Sequence, residues 1–401
     1  MEEKSIFEQI IEQDKLAALR DKDERKWEEQ VEIDLLSRSI TLEQVREACR
    51  KYLYLPDDNV VDYVLAVYLS NFSQGERLWS WLIGPPSVGK TELLRALSSD
   101  TTLLIDSLTS KTLFSGLRIG NKDPSLFKSI NGKVLIIKDF TKILSDQAEV
   151  LSEILGQLRS AKDGYYDART GVEDKSYHYE TSFTLLAGVT PAIDDHYSVR
   201  QALGERFLSW RITGIDRKLL SIKIKETEGK TAEMRQMLKL NFGAFIKKCR
   251  TKKEKPLLDA AMLSRIGELA DVATWARTPV PRFGYSREVK RKPEKEGSPR
   301  LYKELMSLGK ALAFVRDSPR VSEDEYRLLY KVAFDSMLPE RIEAINLLLK
   351  ITEEIEKEDY MEEEFWIPTP QISDQLNLPT QTSRLILDDL FLLEILHRKG
   401  C

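Results

Sequence analysis

With 401 residues the chain is long enough for two or three domains, and its 42% hydrophobic content can fill a core in each. Charged residues make up 31%, but 61 Lys plus Arg nearly cancel 65 Asp plus Glu and leave a formal net charge of −4, which excludes a wholesale polyanion-binding surface and confines any nucleic-acid contact to local patches. Cys49, Cys249 and Cys401 show no C-x-x-C spacing, which argues against a zinc site and fits a reducing cytoplasm. No stretch reaches the length of a membrane span, and the first residues carry no apolar targeting segment.

From Ser5 to Tyr54 apolar residues recur at helical spacing among dense mixed charge (Ile6, Ile10, Ile11 and Leu16, then Val31, Ile33, Leu35 and Leu36), which predicts a helical arm over 1–56. Over 57–225 the pattern changes to short apolar runs alternating with helices. A helix from Val60 to Asn71 leads into strands at Leu78 to Ile83, Thr102 to Asp106, Lys133 to Ile137, Ser182 to Val189 and Ser209 to Ile212. Such alternation predicts an α/β core, a parallel sheet with helices on both faces. Residues 226–338 read as a helical lid, broken by a Pro-containing charged linker from Thr278 to Pro299 and resumed at a capping box formed by Ser322 and Glu325. Residues 339–401 read as a further unit with a long amphipathic helix through Ile351, two short helices and a strand-like tail.

Where the first strand meets its helix stands Gly84, Pro85, Pro86, Ser87, Val88, Gly89, Lys90 and Thr91, the full G-x-x-x-x-G-K-S/T spacing between strand and helix. The glycines let the backbone curl so that its N–H groups face phosphate oxygens, and the helix start adds a favourable dipole. Lys90 reaches the β- and γ-phosphates of a nucleotide, and the Thr91 hydroxyl is placed to ligate Mg²⁺. The sequence therefore predicts ATP with Mg²⁺ as cofactors. A phosphate loop also needs an acid at the end of a neighbouring strand, and the candidate is Asp139, closing Lys133-Val134-Leu135-Ile136-Ile137-Lys138-Asp139. Asp106, at the preceding strand end, is an auxiliary candidate or a simple turn residue.

Ile137-Lys138-Asp139-Phe140-Thr141-Lys142-Ile143 resembles the acidic strand end of AAA+ ATPases with a hairpin before sensor 1, the branch of the MCM replicative helicases. In that register Asp139 takes the water-activating position and Lys138 replaces the metal-binding acid. Shifted by one, Asp139 is the metal acid and the water-activating glutamate is missing. The resemblance continues in order along the chain. Residues 164–179, polar and aromatic around a Gly-containing turn, occupy the place of the pre-sensor 1 hairpin, with Arg169 and Lys175 as DNA-phosphate contacts; the alternative is a surface hairpin with solvated charges. Thr190-Pro191 is similar to the sensor 1 pair. Leu203-Gly204-Glu205-Arg206-Phe207 is similar to the arginine-finger segment, and Arg300, at the start of a lid helix, to sensor 2. The resemblance implies a ring, expected to be a hexamer, in which Lys90, Thr91, Asp139 and Thr190 act in cis and Arg206, together with Arg300, in trans.

In the last unit Thr369 is expected to cap a helix that has Pro370 in its first turn and carries Ile372 and Leu376, a turn follows at Asn377-Leu378-Pro379, and a second helix carries Leu385, Leu390 and Leu393. This is helix-turn-helix spacing, with Ile395 to Lys399 as the first strand of a winged helix, and Gln381, Thr382, Ser383 and Arg384 facing DNA. Asp388 and Asp389 on the same helix leave a protein partner equally open. Two basic stretches flank the lid, one over 247–255 and one from Arg282 to Lys295 that interleaves Phe283 and Tyr285. The resulting expectation is a ring-forming, ATP-dependent DNA translocase or helicase serving replication of a bacterial or mobile element. The alternative is a nucleotide-gated switch or loader with weak hydrolysis that recruits a partner.

Overall fold

The structure is a computed structural model that describes residue 26 and residues 29–31, 33–34, 40–115, 123–170, 175–196, 206–284, 287–295, 297–357 and 366–397. The expected arm residues Ile6, Ile10, Ile11 and Leu16 lie outside that set. So do Leu203, Gly204 and Glu205, as well as Tyr285, Arg398, Lys399 and Cys401.

Helix α1 (Leu42–Tyr52) starts at a capping box between Thr41 and Gln44. Helix α2 (Asn59–Ser70) is apolar on every side and accordingly buried along nearly its whole length. Its one acid, Asp62, is fully buried and takes Arg46 of α1 at 2.6 Å and Arg316 at 2.7 Å. One carboxylate thus ties the N-terminal helix to the lid, and two guanidinium groups offset its burial.

The strands β1 (Trp79–Ile83), β2 (Thr102–Ile105), β3 (Val134–Ile137), β6 (Thr184–Val189) and β7 (Leu208–Arg211) form one sheet in the order β2-β3-β6-β1-β7, every pair parallel. Between β3 and β6 the antiparallel ribbon β4 (Tyr165–Thr170) and β5 (Lys175–Glu180) stands apart as its own two-stranded sheet. Helix α3 (Lys90–Ala96) follows β1, and α4 (Ala148–Lys162) precedes the ribbon. Because strand side chains alternate, Leu82, Ile136 and Leu186 join the core with α2 and α3, while Trp81, Ile137 and Ala187 join the core with α4. A parallel sheet covered on both faces is the fold class the alternating pattern predicts.

The lid comprises α5 (Arg217–Glu226), α6 (Thr231–Thr251), α7 (Ala260–Arg277), α8 (Pro299–Val315) and α9 (Glu323–Asp335), the last opened by Ser322, whose N–H donates to Glu325 at 2.9 Å. The chain ends in α10 (Pro339–Lys357), α11 (Thr369–Leu376) and α12 (Thr380–Leu392). One hydrophobic cluster runs from Ile40 through the sheet and lid to Leu390 of α12.

Two expectations for the last unit need correction. Pro368, not Thr369, is the residue before α11, and Thr369 makes no cap. Residues 395–397 are not a wing strand: Glu394 adopts a left-handed conformation (φ 59°), so the chain reverses and the N–H groups of Ile395 and Leu396 return to the Leu390 carbonyl. The turn itself is as the spacing predicts, with Asn377 left-handed (φ 53°) between α11 and α12.

Candidate nucleotide-binding site

Parallel strands place every β-to-α connection at one edge, and the loop Gly84–Thr91 leaves β1 there. Ser87 (φ 65°) and Gly89 (φ 82°) are left-handed and curl the loop into the start of α3. Lys90 is buried, and its ammonium donates to the carbonyls of Gly84 and Pro85, both at 2.6 Å. With no carboxylate among the described residues in direct contact, burial pulls its pKa down to about 8, while the charge of Asp139 pulls the other way. Asp139 and the loop lysine therefore share one electrostatic neighbourhood.

The end of β3 is fixed by a close approach. A Cβ on Gly188 of β6 would meet the Lys138 carbonyl oxygen at 2.8 Å, and the Phe140 N–H bonds the Gly188 carbonyl at 2.8 Å. From there Lys138 and Asp139 diverge. Lys138 turns toward β2 and pairs with Asp106 at 2.5 Å, which holds the Asp106 carboxyl below its ordinary range. Asp139 instead accepts from the Thr141 N–H at 3.1 Å. The Thr141 hydroxyl donates to the Thr190 hydroxyl at 3.3 Å and accepts the Thr190 N–H at 3.0 Å. Asp139, Thr141 and Thr190 thus form one hydrogen-bonded row across the ends of β3 and β6. Thr141 was not singled out from the sequence, although a hydroxyl two residues past the acid is the available signal.

Beside the loop lies a cavity of about 280 Å³, also absent from the sequence reading. Leu53 and Tyr54 wall one side, Leu220 and Ile224 of α5 the other, and Ser87 to Thr91 form its phosphate end. The Tyr54 hydroxyl accepts the Asp216 N–H at 3.0 Å and so joins the two walls. A slot that opens onto a phosphate loop and combines apolar walls with the polar groups of Tyr54, Lys223 and Thr227 suits a nucleobase. Arg235 of α6 pairs with Glu92, the residue after Thr91, at 2.7 and 2.8 Å, and brings a lid cation next to α3.

For a divalent cation the candidate ligands are the Thr91 hydroxyl, at the end of the loop, and the Asp139 carboxylate, just after β3. Among the described residues no group of three or more His, Cys, Asp or Glu forms a cage. One hydroxyl and one carboxylate beside phosphates fit Mg²⁺, which keeps most of its own water and takes few protein ligands.

No protein-family model and no curated protein matches this chain. Among solved structures, it is similar to the crystal structure of a "putative ATPase" from Cytophaga hutchinsonii, at 15% identity and a TM-score of 0.46, over 88% of this chain and 97% of that one. At those values the likeness bears on neither substrate nor partner.

The remaining candidates lie elsewhere. Arg206 precedes β7 and Arg300 opens α8, and both reach Asp163, at 3.8 and 3.3 Å. Asp163 follows Lys162, which bonds the Arg77 carbonyl ahead of β1 at 2.6 Å and the buried Glu304 at 3.0 Å. These groups gather at the N-terminal edge of the sheet, across its full height from the loop. Arg169 is exposed on the ribbon opposite Ser176, while the Lys175 side chain lies outside the described set. Gln381, Thr382 and Arg384 are exposed at the start of α12, and Ser383 is buried. The first basic stretch is engaged within the fold: Lys248 bonds the Ile40 carbonyl, Lys252 pairs with Asp317, and Arg250 lies over Phe72. No helix among the described residues is long and apolar enough to cross a membrane.

Proposed function

We propose that the protein is a ring-forming, ATP-driven DNA translocase of the AAA+ type, in which each nucleotide is shared between neighbouring copies. The observation that carries this reading is the separation of the phosphate loop from Arg206 and Arg300. Five strand residues span about 17 Å, so these arginines do not serve the loop of their own chain. A second copy docked edge to edge would bring them to it.

In that arrangement Lys90 and the loop amides hold the β- and γ-phosphates, and the slot between Tyr54 and Ile224 holds the base. Thr91 and Asp139 would hold Mg²⁺, whose charge screens the phosphates during transfer. Thr190, held by Thr141, orients the attacking water together with Asp139. The partner's arginines stabilise the charge that develops on the γ-phosphate. Asp163, which holds both arginines, directly precedes Gly164 at the base of the ribbon, and the Thr181 N–H closes that base on the Gly164 carbonyl at 2.9 Å. A change in what the arginines touch therefore reaches the ribbon that presents Arg169 to a DNA backbone.

A second reading, a nucleotide-gated switch with weak turnover, is favoured by one feature: Lys138 stands where a metal-binding acid is expected and is locked to Asp106. Measuring ATP hydrolysis with and without single-stranded DNA, alongside strand displacement and the assembled mass in ATP, separates the two. DNA-stimulated turnover in a multimer supports the motor, and Asp139→Ala should abolish it. Tight ATP binding with negligible turnover selects the switch.

A further inference from the structure

Of the segment between α7 and α8, expected to be a charged linker, the described residues 281–284 and 287–295 are pinned in place. Arg282 and Val289 pair as an antiparallel bridge, the Phe283 N–H bonds the Glu288 carbonyl at 2.8 Å, and the Lys290 N–H bonds the Pro281 carbonyl at 2.8 Å. These bonds make a small hairpin. Its base is fastened to the helix-turn-helix unit: the Arg282 guanidinium donates to Asp389 of α12 at 2.6 and 3.0 Å, and Arg341 takes the other Asp389 oxygen at 2.8 Å. Further along, Lys292 and Lys295 pair with Glu394 at 3.4 and 2.5 Å, and Lys295 lies over Trp275 at 4.4 Å.

These pairs have two consequences. Asp389, one of the two α12 acids that argue against nucleic acid, and Glu394 are each paired from within the chain, and the other, Asp388, is partly buried. Meanwhile Arg287, Lys290 and Arg291 stay exposed on the hairpin, beside a half-exposed Phe283 whose ring carries Lys290 at 5.3 Å. Asp389 lies seven residues after Thr382, two turns along the same face of α12, about 10 Å away. The hairpin is therefore fastened to the face that carries Thr382 in its first turn, with exposed Gln381 at its flank, while Arg384, five residues before Asp389, lies about 140° round the helix.

We propose that this hairpin and the first turn of α12 form one duplex-DNA-binding surface, the hairpin serving as a wing contributed by the lid. The helix supplies polar groups of a size and type that reach base edges, and the hairpin supplies cations for the flanking phosphates. A finger that carries three exposed cations, Arg287, Lys290 and Arg291, against one exposed acid, Glu288, with an aromatic side chain beside an uncharged polar helix start, complements a polyanion with readable edges better than an acidic protein. The choice of DNA rests on the translocase reading, but the surface needs neither nucleotide nor hydrolysis.

The test is binding of a short labelled duplex to the full chain by fluorescence anisotropy, without nucleotide, over a range of salt. For the triple variant Arg287→Ala, Lys290→Ala, Arg291→Ala the expected result is a loss of more than about tenfold, with the salt slope reduced by about 0.9 for each phosphate contact removed. The double variant Gln381→Ala, Thr382→Ala should weaken the same binding, while single-stranded DNA, assigned to Arg169 under the translocase reading, loses little in either variant. All of these side chains are exposed, so thermal unfolding should not move and a folding defect is separable. An unchanged duplex affinity and slope in the triple variant overturns the proposal, as does an equal loss for single-stranded DNA. Polyglutamate bound as tightly as duplex, and lost in the same variant, reassigns the surface to an acidic protein. A wild type that binds duplex through these residues but shows no DNA-stimulated hydrolysis sinks the translocase reading and leaves this surface standing.

Discussion

The two edges of the central sheet solve opposite problems. At the C-terminal edge a cation is kept in reserve: Lys90 is buried against two carbonyls with no carboxylate among the described residues in contact, and its pKa falls to about 8. At the N-terminal edge cations are held in a network, with Arg206 and Arg300 on Asp163 and Lys162 on Glu304. Burial raises the Glu304 pKa, and Lys162 works against that rise. The first arrangement leaves the ammonium on neutral carbonyls, a contact that a phosphate can replace. The second is paired within its own chain, so under the proposed ring it gives up little by exchanging one partner for another.

The largest effect should come from the N-terminal edge, through another chain. Arg206→Ala is expected to lower ATP turnover by about a thousandfold while leaving nucleotide affinity near wild type. Mixing it with Lys90→Ala should recover part of the activity, because some interfaces then combine an intact loop with an intact arginine. If Arg206→Ala instead abolishes nucleotide binding by the dilute, unassembled chain, the two edges belong to one site and the comparison collapses.

Lys90→Ala should cost less in free energy but act at once on binding. Loss of charge-assisted bonds to phosphate predicts about a hundredfold weaker affinity, read by titration with a fluorescent ATP analogue and independent of protein concentration. A concentration-dependent loss would mean that the loop, too, is built by the neighbour.

Thr141 sharpens the comparison within one edge. Thr141→Ala removes the hydroxyl that holds Thr190 and should reduce turnover about tenfold, the low end for loss of an outer-shell support, with KM unchanged. Thr141→Ser should restore it. A parallel change in KM would make Thr141 part of nucleotide binding instead of a support for Thr190.

What the sequence made legible was local. The phosphate loop is contiguous, and the five strands announce themselves as apolar runs because both of their faces are covered. The ribbon is visible in the alternation after Gly164. Features assembled from distant segments were hidden: the slot whose walls meet where Asp216 bonds Tyr54, 162 residues away, and the Arg282–Asp389 pin across 107 residues. Lys138 was readable as an anomaly, but its turn toward Asp106, which leaves Asp139 as the acid beside Lys90, needed the neighbouring strand. The expected wing failed for a local reason. Apolar Ile395 and Leu396 have strand composition, yet the reversal at Glu394 folds them back onto the end of α12.

The smallest predicted effect follows from the pKa of Lys90. Its folded value, about 8, lies below the ordinary 10.5, so between those values the unfolded chain binds more protons than the folded one. The cost of burying the charge is present below pH 8 and is relieved as pH rises toward 10.5, so this group alone makes the free chain more stable with increasing pH. Nucleotide affinity should move the other way. Phosphate requires the ammonium, so affinity should fall above pH 8, by at most tenfold per unit, and binding should take up a proton there. Calorimetry in buffers of different ionisation enthalpy reads that proton directly. Lys90→Arg keeps its charge throughout this range, so whatever affinity it has should be flat across pH 8 to 10. Equal pH dependence in wild type and Lys90→Arg would assign the titration to another group and remove the contrast between a reserved cation at one edge and neutralised cations at the other.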